Sequence, residues 1–240
     1  MMKVKVLFLS SLLLLSGCSM NNTTKGGLIG GGGGAALGGI IGAMAGKGKG
    51  AAIGAAIGTA VGAGAGVLIG NRMDKAKKAA EAIESAQAEV LQDAQGVSYV
   101  KVTFDSGILF NTGSSALSTT AKNDLTKFAT TVLGENQDMD VAIVGHTDNQ
   151  GWKNSTAEQS RQKNQELSQQ RAQAVNNFLT AALLQAGKSN KQIQSTTGMG
   201  EDSPVADNNT AEGRQQNRRV EIYLIPSKQM VETYNAQATN

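Results

Sequence analysis

The sequence predicts an α/β fold: a two-layer sandwich of βαβαβ order with an antiparallel component, preceded by a glycine-rich helical hairpin and a helical spacer. Three observations predict this fold. Residues 141–145 form a short apolar, β-branched run that is long enough for one buried strand. Apolar residues then recur at helical spacing within residues 164–186. A further run over residues 220–225, stopped by Pro226, would close the sheet.

Composition limits the classes of function. A chain of 240 residues has room for one or two domains. Its formal net charge is +3, and loss of Lys3 and Lys5 with residues 1–17 would leave +1. A nucleic-acid partner needs a concentrated basic surface, so we expect none. The single cysteine excludes an intramolecular disulfide.

The chain begins with a pattern typical of a signal peptide over residues 1–17. Two lysines precede an apolar run, residues 6–15, that is too short to span a bilayer. The following Leu-Ser-Gly-Cys, residues 15–18, resembles the lipobox of bacterial lipoproteins. The resemblance implies cleavage before Cys18, acylation of that residue and, because Ser19 follows it, an outer-membrane location. An ordinary signal peptide with an incidental cysteine is the alternative. Residues 18–25 would form a lipidated linker.

Glycine occupies every fourth position from residue 26 to residue 70. Residues 26–46 and 50–70 carry no charge and have about the length of a membrane helix, with Lys47 and Lys49 in the turn between them. Glycine at this spacing lets two helices approach closely. Residues 26–70 therefore resemble the glycine-zipper segments of envelope lipoproteins, with homo-oligomerisation as a possible consequence. A flexible linker is the alternative.

Residues 71–96 change character and favour a helical spacer. Small and apolar residues follow helical spacing there, which predicts a weak apolar face. A full helix would reach roughly 35–40 Å at about 1.5 Å per residue. A disordered linker is the alternative, and Gly96 ends the segment in either case. Residues 97–226 would form the globular domain, and residues 227–240 a C-terminal tail.

The candidate site lies around Gly-His-Thr-Asp at residues 145–148. Arg171 falls on the apolar face of the next helix, one turn after Leu167, with Asn164 about two turns earlier. A guanidinium on the core side of a helix is costly unless an anion meets it. Asp148 follows the preceding strand and would be near. The pattern therefore indicates either an internal Asp148–Arg171 ion pair or charges shared with a zwitterionic ligand.

Four motifs together resemble the OmpA-like C-terminal domain over residues 97–226. They are the Gly-His-Thr-Asp above, Asn-x-x-Leu-Ser-x-x-Arg-Ala at 164–172, Gly-x-Gly-Glu-x-x-Pro at 198–204 and Gly-Arg-x-x-Asn-Arg-Arg-Val-Glu-Ile at 213–222. The resemblance implies a fold of that type and non-covalent binding of peptidoglycan through the diaminopimelate of its stem peptide. By the same resemblance Asp148 and Arg171 hold the ligand's amino and carboxylate groups, and Asn164 and Arg218 line the pocket.

This sequence departs from the family pattern in three places. The connection between Asp148 and Arg171 is longer than usual, and residues 152–162 are interpreted as a loop insertion. Gln150 stands where the family often has threonine. Gly113 replaces a pocket asparagine near the first strand.

The sequence offers no catalytic or metal-binding set of residues. His146 is the only histidine, and lipidation would consume Cys18, so a Cys/His pair or histidine-rich metal site cannot be built. A carboxylate pair such as Asp105 with Asp148 stays open. We expect no enzyme activity, no metal and no cofactor.

These features predict a structural tether. Acyl chains and the hairpin would sit in the outer membrane, and the globular domain would bind the cell wall from the periplasm. The alternative is an oligomeric membrane pore or stator-like assembly that uses wall binding as an anchor. A pore calls for polar residues inside the spans, which offer only Thr59, so the tether is favoured.

Overall fold

The computed structural model describes residues 61–92 and 96–238, and all structural statements concern these residues. The strands are β1 (Ala86–Gln92), β2 (Ser98–Asp105), β3 (Met139–Gly145), β4 (Ile193–Gly198) and β5 (Arg219–Pro226). The helices are α1 (Ala63–Glu81), α2 (Ser106–Leu109), α3 (Thr119–Lys127), α4 (Ala157–Gln185), α5 (Ala211–Asn217) and α6 (Lys228–Ala238). A π-helical turn, Phe128–Leu133, continues α3.

The strands form one sheet in the order β1-β2-β5-β3-β4. β3 and β4 are parallel and are joined through α4, whereas the other neighbouring strands pair antiparallel. Helix α1 packs on β1 and β2, and α4 packs on β3 and β4. Helix α3 packs against α4, and the π-helical turn packs against both α1 and α4. Phe104 of β2 and Phe128 meet edge to face in the core between the layers, with ring centroids 5.6 Å apart. The predicted two-layer α/β sandwich is confirmed.

Helix α3 begins at a capping residue and buries an apolar face. The Ser118 hydroxyl accepts a hydrogen bond from the Ala121 amide at 3.0 Å, which caps α3. Leu125 and Phe128 are fully buried, as the helical spacing of their apolar side chains requires. This helix is therefore specified by local pattern alone.

The long helix α4 begins seven residues earlier than predicted, at Ala157. Thr156 and Gln159 form a reciprocal capping box, in which each side chain accepts a hydrogen bond from the other's backbone amide. Residues 157–162 are therefore helical, and the predicted loop insertion over residues 152–162 shrinks to its first part. Extra residues lengthen the helix as well as the loop.

The predicted helical spacer over residues 71–96 is wrong in its second half and in its role. Helix α1 ends at Glu81, and residues 86–92 form strand β1, which pairs antiparallel with β2 along its whole length. Met73 and Ile83 of the predicted weak face are 0% and 2% exposed in the shared core. The face is buried because its small side chains let α1 approach the sheet closely.

The predicted second membrane span, residues 50–70, overlaps the start of this domain. Residues 63–70 belong to α1, where Ile69 is 1% exposed within the hydrophobic core. Residues 1–60, with the signal peptide, Cys18 and most of the hairpin, lie outside the described residues. Among the helices of residues 61–92 and 96–238, none is both long and apolar enough to cross a membrane.

The predicted C-terminal tail, residues 227–240, contains helix α6, which packs against α1. Met230 and Val231 are buried in the core at 2% exposure each. The Gly62 amide donates a hydrogen bond to Asn235 Oδ1 at 2.9 Å. A Cβ at Gly64 would lie 2.7 Å from the Cβ of Ala238, so a side chain there would displace α6. The tail is therefore a structural part of the domain.

A buried polar cluster joins the end of β3 to the start of β5. Glu221 accepts hydrogen bonds from Arg219 Nε at 2.7 Å and from the Tyr223 hydroxyl at 2.6 Å. His146 Nε2 lies 3.3 Å from the same carboxylate. Burial would raise the pKa of Glu221, but its contacts with His146, Arg219 and Tyr223 outweigh it and hold that pKa well below the usual range. Burial lowers the pKa of His146, against the opposite effect of the Glu221 carboxylate beside it.

Candidate functional site

A cavity of about 550 Å³ opens at the end of β3. Its walls come from the segment after β3, the first turns of α4, helix α2 with the loop that follows it, and the residue before β5. All four residues of the predicted site line this cavity. Its lining comprises Ser106, Gly107, Phe110, Thr112, Gly113, Thr147, Asp148, Gln150, Gly151, Trp152, Lys153, Asn164, Leu167, Arg171 and Arg218.

Two glycines bring α4 close enough to the sheet to place these side chains. A Cβ at Gly145, the last residue of β3, would overlap the Ser168 carbonyl group. A Cβ at Gly198, the last residue of β4, would overlap the backbone of Gln169. Because both positions lack a side chain, α4 lies directly on the strand ends. Asp148 and Arg171 therefore reach the same cavity.

Asp148 is 7% exposed and forms its ion pair with Arg218. Arg218 Nη1 donates to Asp148 Oδ2 at 2.5 Å, while Oδ1 accepts from the Gln150 amide at 3.1 Å. The internal ion pair that the sequence left open, between Asp148 and Arg171, is therefore not the one that forms. Arg218, 70 positions away in the chain, takes that place. Its side chain is 37% exposed, at the edge of the cavity.

Arg171 is only 3% exposed, yet it has no carboxylate oxygen within 4.0 Å among the residues that the structure describes. Its Nε donates to the Ser114 carbonyl oxygen at 3.0 Å and its Nη2 to that of Asn111 at 3.5 Å. The guanidinium lies 5.2 Å from the centroid of the Phe110 ring. These neutral carbonyl groups and the Phe110 ring hold the Arg171 guanidinium in position, but they do not neutralise its charge.

Electrostatics make this guanidinium receptive to an anion. Burial lowers the pKa of Arg171, and the nearby charge of Arg218 lowers it further, while Asp148 acts in the opposite direction. The three charged groups together carry one net positive charge. A buried cation in these surroundings gains from a carboxylate that enters the cavity, because the ligand supplies the charge that the protein lacks.

Asn164 lines the cavity, but the protein already uses both ends of its amide. Its Oδ1 accepts from the Trp152 indole nitrogen at 2.8 Å. Its Nδ2 donates to Glu201 Oε2 at 2.7 Å and contacts the carbonyl oxygens of Asp148 and Gln150, each at 3.3 Å. These bonds connect the segment after Asp148 to α4. These contacts indicate that Asn164 holds the wall of the cavity in place.

Sequence reasoning missed two hydroxyls of the cavity. Ser106 Oγ and Thr147 Oγ1 are buried and have no hydrogen-bond partner within the described ranges, 61–92 and 96–238. Buried hydroxyls rarely stay unpaired, so these two are available to a bound ligand. Thr147 belongs to the Gly-His-Thr-Asp motif, which could have signalled it. Nothing in the sequence around Ser106 marks it.

The departures from the family pattern also meet at this cavity. Gly113 adopts a positive φ of 68°, a conformation that side chains disfavour, and a Cβ there would lie 4.0 Å from Trp152 Cη2. Gln150 lines the cavity two residues after Asp148. Asp105, the possible second carboxylate of a catalytic pair, caps α2 through Gly107 and accepts from Gln215 at 3.0 Å. One of its oxygens thus caps α2 and the other contacts α5.

Two families match separate parts of the chain. Residues 109–218 match the OmpA family, and residues 1–74 match the YMGG-like Gly-zipper. The first match contains the charged residues that line the cavity, which are Asp148, Lys153, Arg171 and Arg218. It begins after β2, so α1, β1 and β2 lie outside it.

Relatives and solved structures agree with these matches. The chain is 39% identical over 119 residues to the probable lipoprotein YiaD of Escherichia coli. The aligned region covers 50% of this chain and 48% of YiaD. The chain is also 37% identical over 123 residues to the outer-membrane lipoprotein YfiB of Pseudomonas aeruginosa. This aligned region covers 51% of this chain and 64% of YfiB. The chain thus spans less than two thirds of either relative.

The crystal structure of a MotB-like protein from Desulfovibrio vulgaris has the same fold, with a TM-score of 0.54 at 21% identity. That likeness covers 67% of this chain and 95% of the other. The family matches and the relatives therefore agree with the resemblance to the OmpA-like domain that the sequence motifs indicated. Residues 109–218, which contain the charged residues of the cavity, are thus similar to the OmpA family, and residues 1–74 are similar to the YMGG-like Gly-zipper.

Proposed function

We propose that this chain is a cell-envelope lipoprotein that tethers the outer membrane to peptidoglycan. The domain would bind the wall non-covalently, through the diaminopimelate residue of the stem peptide. The observation that carries this proposal is the buried guanidinium of Arg171, which lies in the same cavity as the Asp148–Arg218 ion pair and meets no carboxylate of residues 61–92 and 96–238. The protein acts by binding, with no chemical step.

The chemistry of the ligand matches the charges of the cavity. Diaminopimelate presents an ammonium and a carboxylate on one carbon at its free end. Arg171 would receive the carboxylate, since a planar guanidinium can meet both of its oxygens. Asp148 would receive the ammonium on the same carboxylate that accepts from Arg218. The unpaired hydroxyls of Ser106 and Thr147 supply further hydrogen bonds.

The attachment to the membrane is proposed from the sequence before the domain. The Leu-Ser-Gly-Cys pattern supports acylation of Cys18, and two of the relatives are named as lipoproteins. The Gly-zipper segment would pack in or against the outer membrane, with homo-oligomers as one mode of packing. The globular domain would then face the periplasm, where peptidoglycan lies.

Competition tests the binding proposal directly. The full-length protein in mild detergent should sediment with insoluble peptidoglycan, and free meso-diaminopimelate should release it. Cadaverine at the same concentration should release far less, because it has an ammonium on an aliphatic chain but no carboxylate for Arg171. Equal release by both compounds, or no sedimentation at all, would contradict recognition of diaminopimelate.

Replacing Cys18 with alanine tests the tether. We expect an unprocessed or soluble precursor that takes up no fatty acid, because the chain has only this thiol to accept the lipid. Metabolic labelling with a palmitate analogue and separation of membranes measure both effects. Label on the Cys18→Ala protein equal to that on the parent would rule out lipidation at this residue.

A further inference from the structure

Trp152 is the only tryptophan of the chain, and it stands in the extra residues between Asp148 and Arg171. Its half-buried side chain lines the cavity, together with the charged residues at the cavity's polar end. Family motifs assign it no role, because it lies outside them. Trp152 thus adds a large aromatic side chain to the cavity from an otherwise polar segment.

Three contacts hold Trp152 in place. Its indole nitrogen donates to Asn164 Oδ1 at 2.8 Å, and the backbone amide of the residue donates to Ser160 Oγ at 3.0 Å. Lys163 Nζ lies 5.8 Å from the centroid of the ring. Asn164, Ser160 and Lys163 all belong to α4, so the helix fixes the orientation of the ring. The side chain is thus positioned before any ligand arrives, which lowers the entropic cost of binding.

The indole borders the cavity rather than being enclosed in the core. Its Cη2 atom lies 4.0 Å from the position that a Cβ on Gly113 would occupy, so a side chain at that position would contact the ring. Phe110 and Leu167 also line the cavity with apolar surface. The cavity therefore has a charged end, formed by Asp148 and the two arginines, and apolar walls beside it. A ligand that fits both parts carries a zwitterionic head on an aliphatic chain.

We propose that Trp152 is a specificity-determining wall of the site, which packs against the methylene chain of the bound stem-peptide residue while Arg171 and Asp148 hold its head. This proposal rests on the proposed function and adds a second element of recognition to it. The charges select the head group, whereas the indole selects a chain long enough to cross the cavity. Burial of apolar surface against the ring is the source of the added affinity.

The test uses the full-length protein in mild detergent and a soluble stem tripeptide that ends in meso-diaminopimelate. Calorimetry should show that Trp152→Ala weakens binding about tenfold or more, as loss of one aromatic wall implies. Trp152→Phe keeps a ring but loses the hydrogen bond to Asn164, and it should stay within about threefold of the parent. Leu184→Ala is the matched control, because Leu184 is an apolar residue of α4 that is 58% exposed; its affinity should equal the parent's.

A measurement on the parent protein makes the test independent of how the variants fold. Because the chain has one tryptophan, its fluorescence reports this wall alone. The tripeptide should shift the emission and protect the indole from quenching by acrylamide. A matched tripeptide that ends in L-lysine should do neither at the same concentration.

The possible results separate this inference from the proposed function. If the parent binds the tripeptide but Trp152→Ala binds equally well, or the emission does not respond, the wall is refuted and head-group recognition stands. If Trp152→Ala and Trp152→Phe lose affinity equally, the hydrogen bond to Asn164 matters and the packing proposal is overturned. If the parent binds neither tripeptide nor peptidoglycan, the proposed function fails, and the wall fails with it.

Discussion

Replacing Arg171 with alanine should abolish sedimentation of the protein with insoluble peptidoglycan. The side chain is 3% exposed and meets only carbonyl oxygens and the Phe110 ring among the described residues, so its charge remains available for a ligand carboxylate. A charge-assisted pair that is lost from a buried site costs about 2–5 kcal/mol, or roughly 30-fold to several-thousand-fold in affinity. Arg171→Lys should recover binding only in part, since an ammonium cannot reproduce the planar two-point contact.

A second arginine on the same helix supplies the control. Arg161 is exposed and pairs with Asp202 at the surface, so Arg161→Ala removes the same side chain without touching the charged end of the cavity. We expect it to sediment like the parent. Thermal unfolding of each variant must accompany the assay, because Arg171 also bridges α4 to the loop after α2. A folded Arg171→Ala protein that sediments as the parent does would assign this residue a purely structural role.

Removal of α1, β1 and α6 should prevent the domain from folding. The fragment 97–226, which corresponds to the boundaries that the sequence motifs suggest, lacks all three elements. It would leave β2 as a sheet edge and expose the core surface that α1 covers, which favours aggregation. The fragment 61–238 should instead unfold in one cooperative transition. Circular dichroism during thermal unfolding distinguishes the two outcomes.

A pair of substitutions within 61–238 refines this prediction. Met73→Ala removes a fully buried side chain of α1 and should lower the free energy of unfolding by about 2–5 kcal/mol. Lys75→Ala alters an exposed position two residues away and should change it by no more than about 0.5 kcal/mol. A cooperatively folded fragment 97–226, or equal stability of the two variants, would show that α1 is dispensable.

The residues of the candidate site could be predicted from the sequence, but the ion pair that forms among them could not. The helical period places Leu167, Arg171 and Val175 on one face, and all three are buried on α4. That pattern is local, so the sequence is sufficient to find it. The partner of Asp148 is not local: Arg218 reaches it because β5 lies beside β3 in the sheet. No spacing in the sequence distinguishes this pair from Asp148 with Arg171.

Local patterns by themselves determined where the buried strands and the central helices form. The apolar run of β3, the capped start of α3 and the apolar face of α4 each lie within a few turns or residues of chain, and propensity and periodicity act at that range. The motifs likewise placed Asp148, Asn164, Arg171 and Arg218 around one cavity, because they mark residues on those same elements or in the segments next to the strands.

Only the tertiary structure decided the extent of the domain. Residues 86–92 are rich in alanine, glutamine and glutamate, which have low intrinsic preference for strands, and they become β1 because β2 offers an edge to pair with. The small apolar stripe of α1 predicted a weak helix, yet it is buried because the sheet lies beneath it. Hydrogen bonds and burial between distant segments outweigh local preference here, since their free energy depends on the completed sheet.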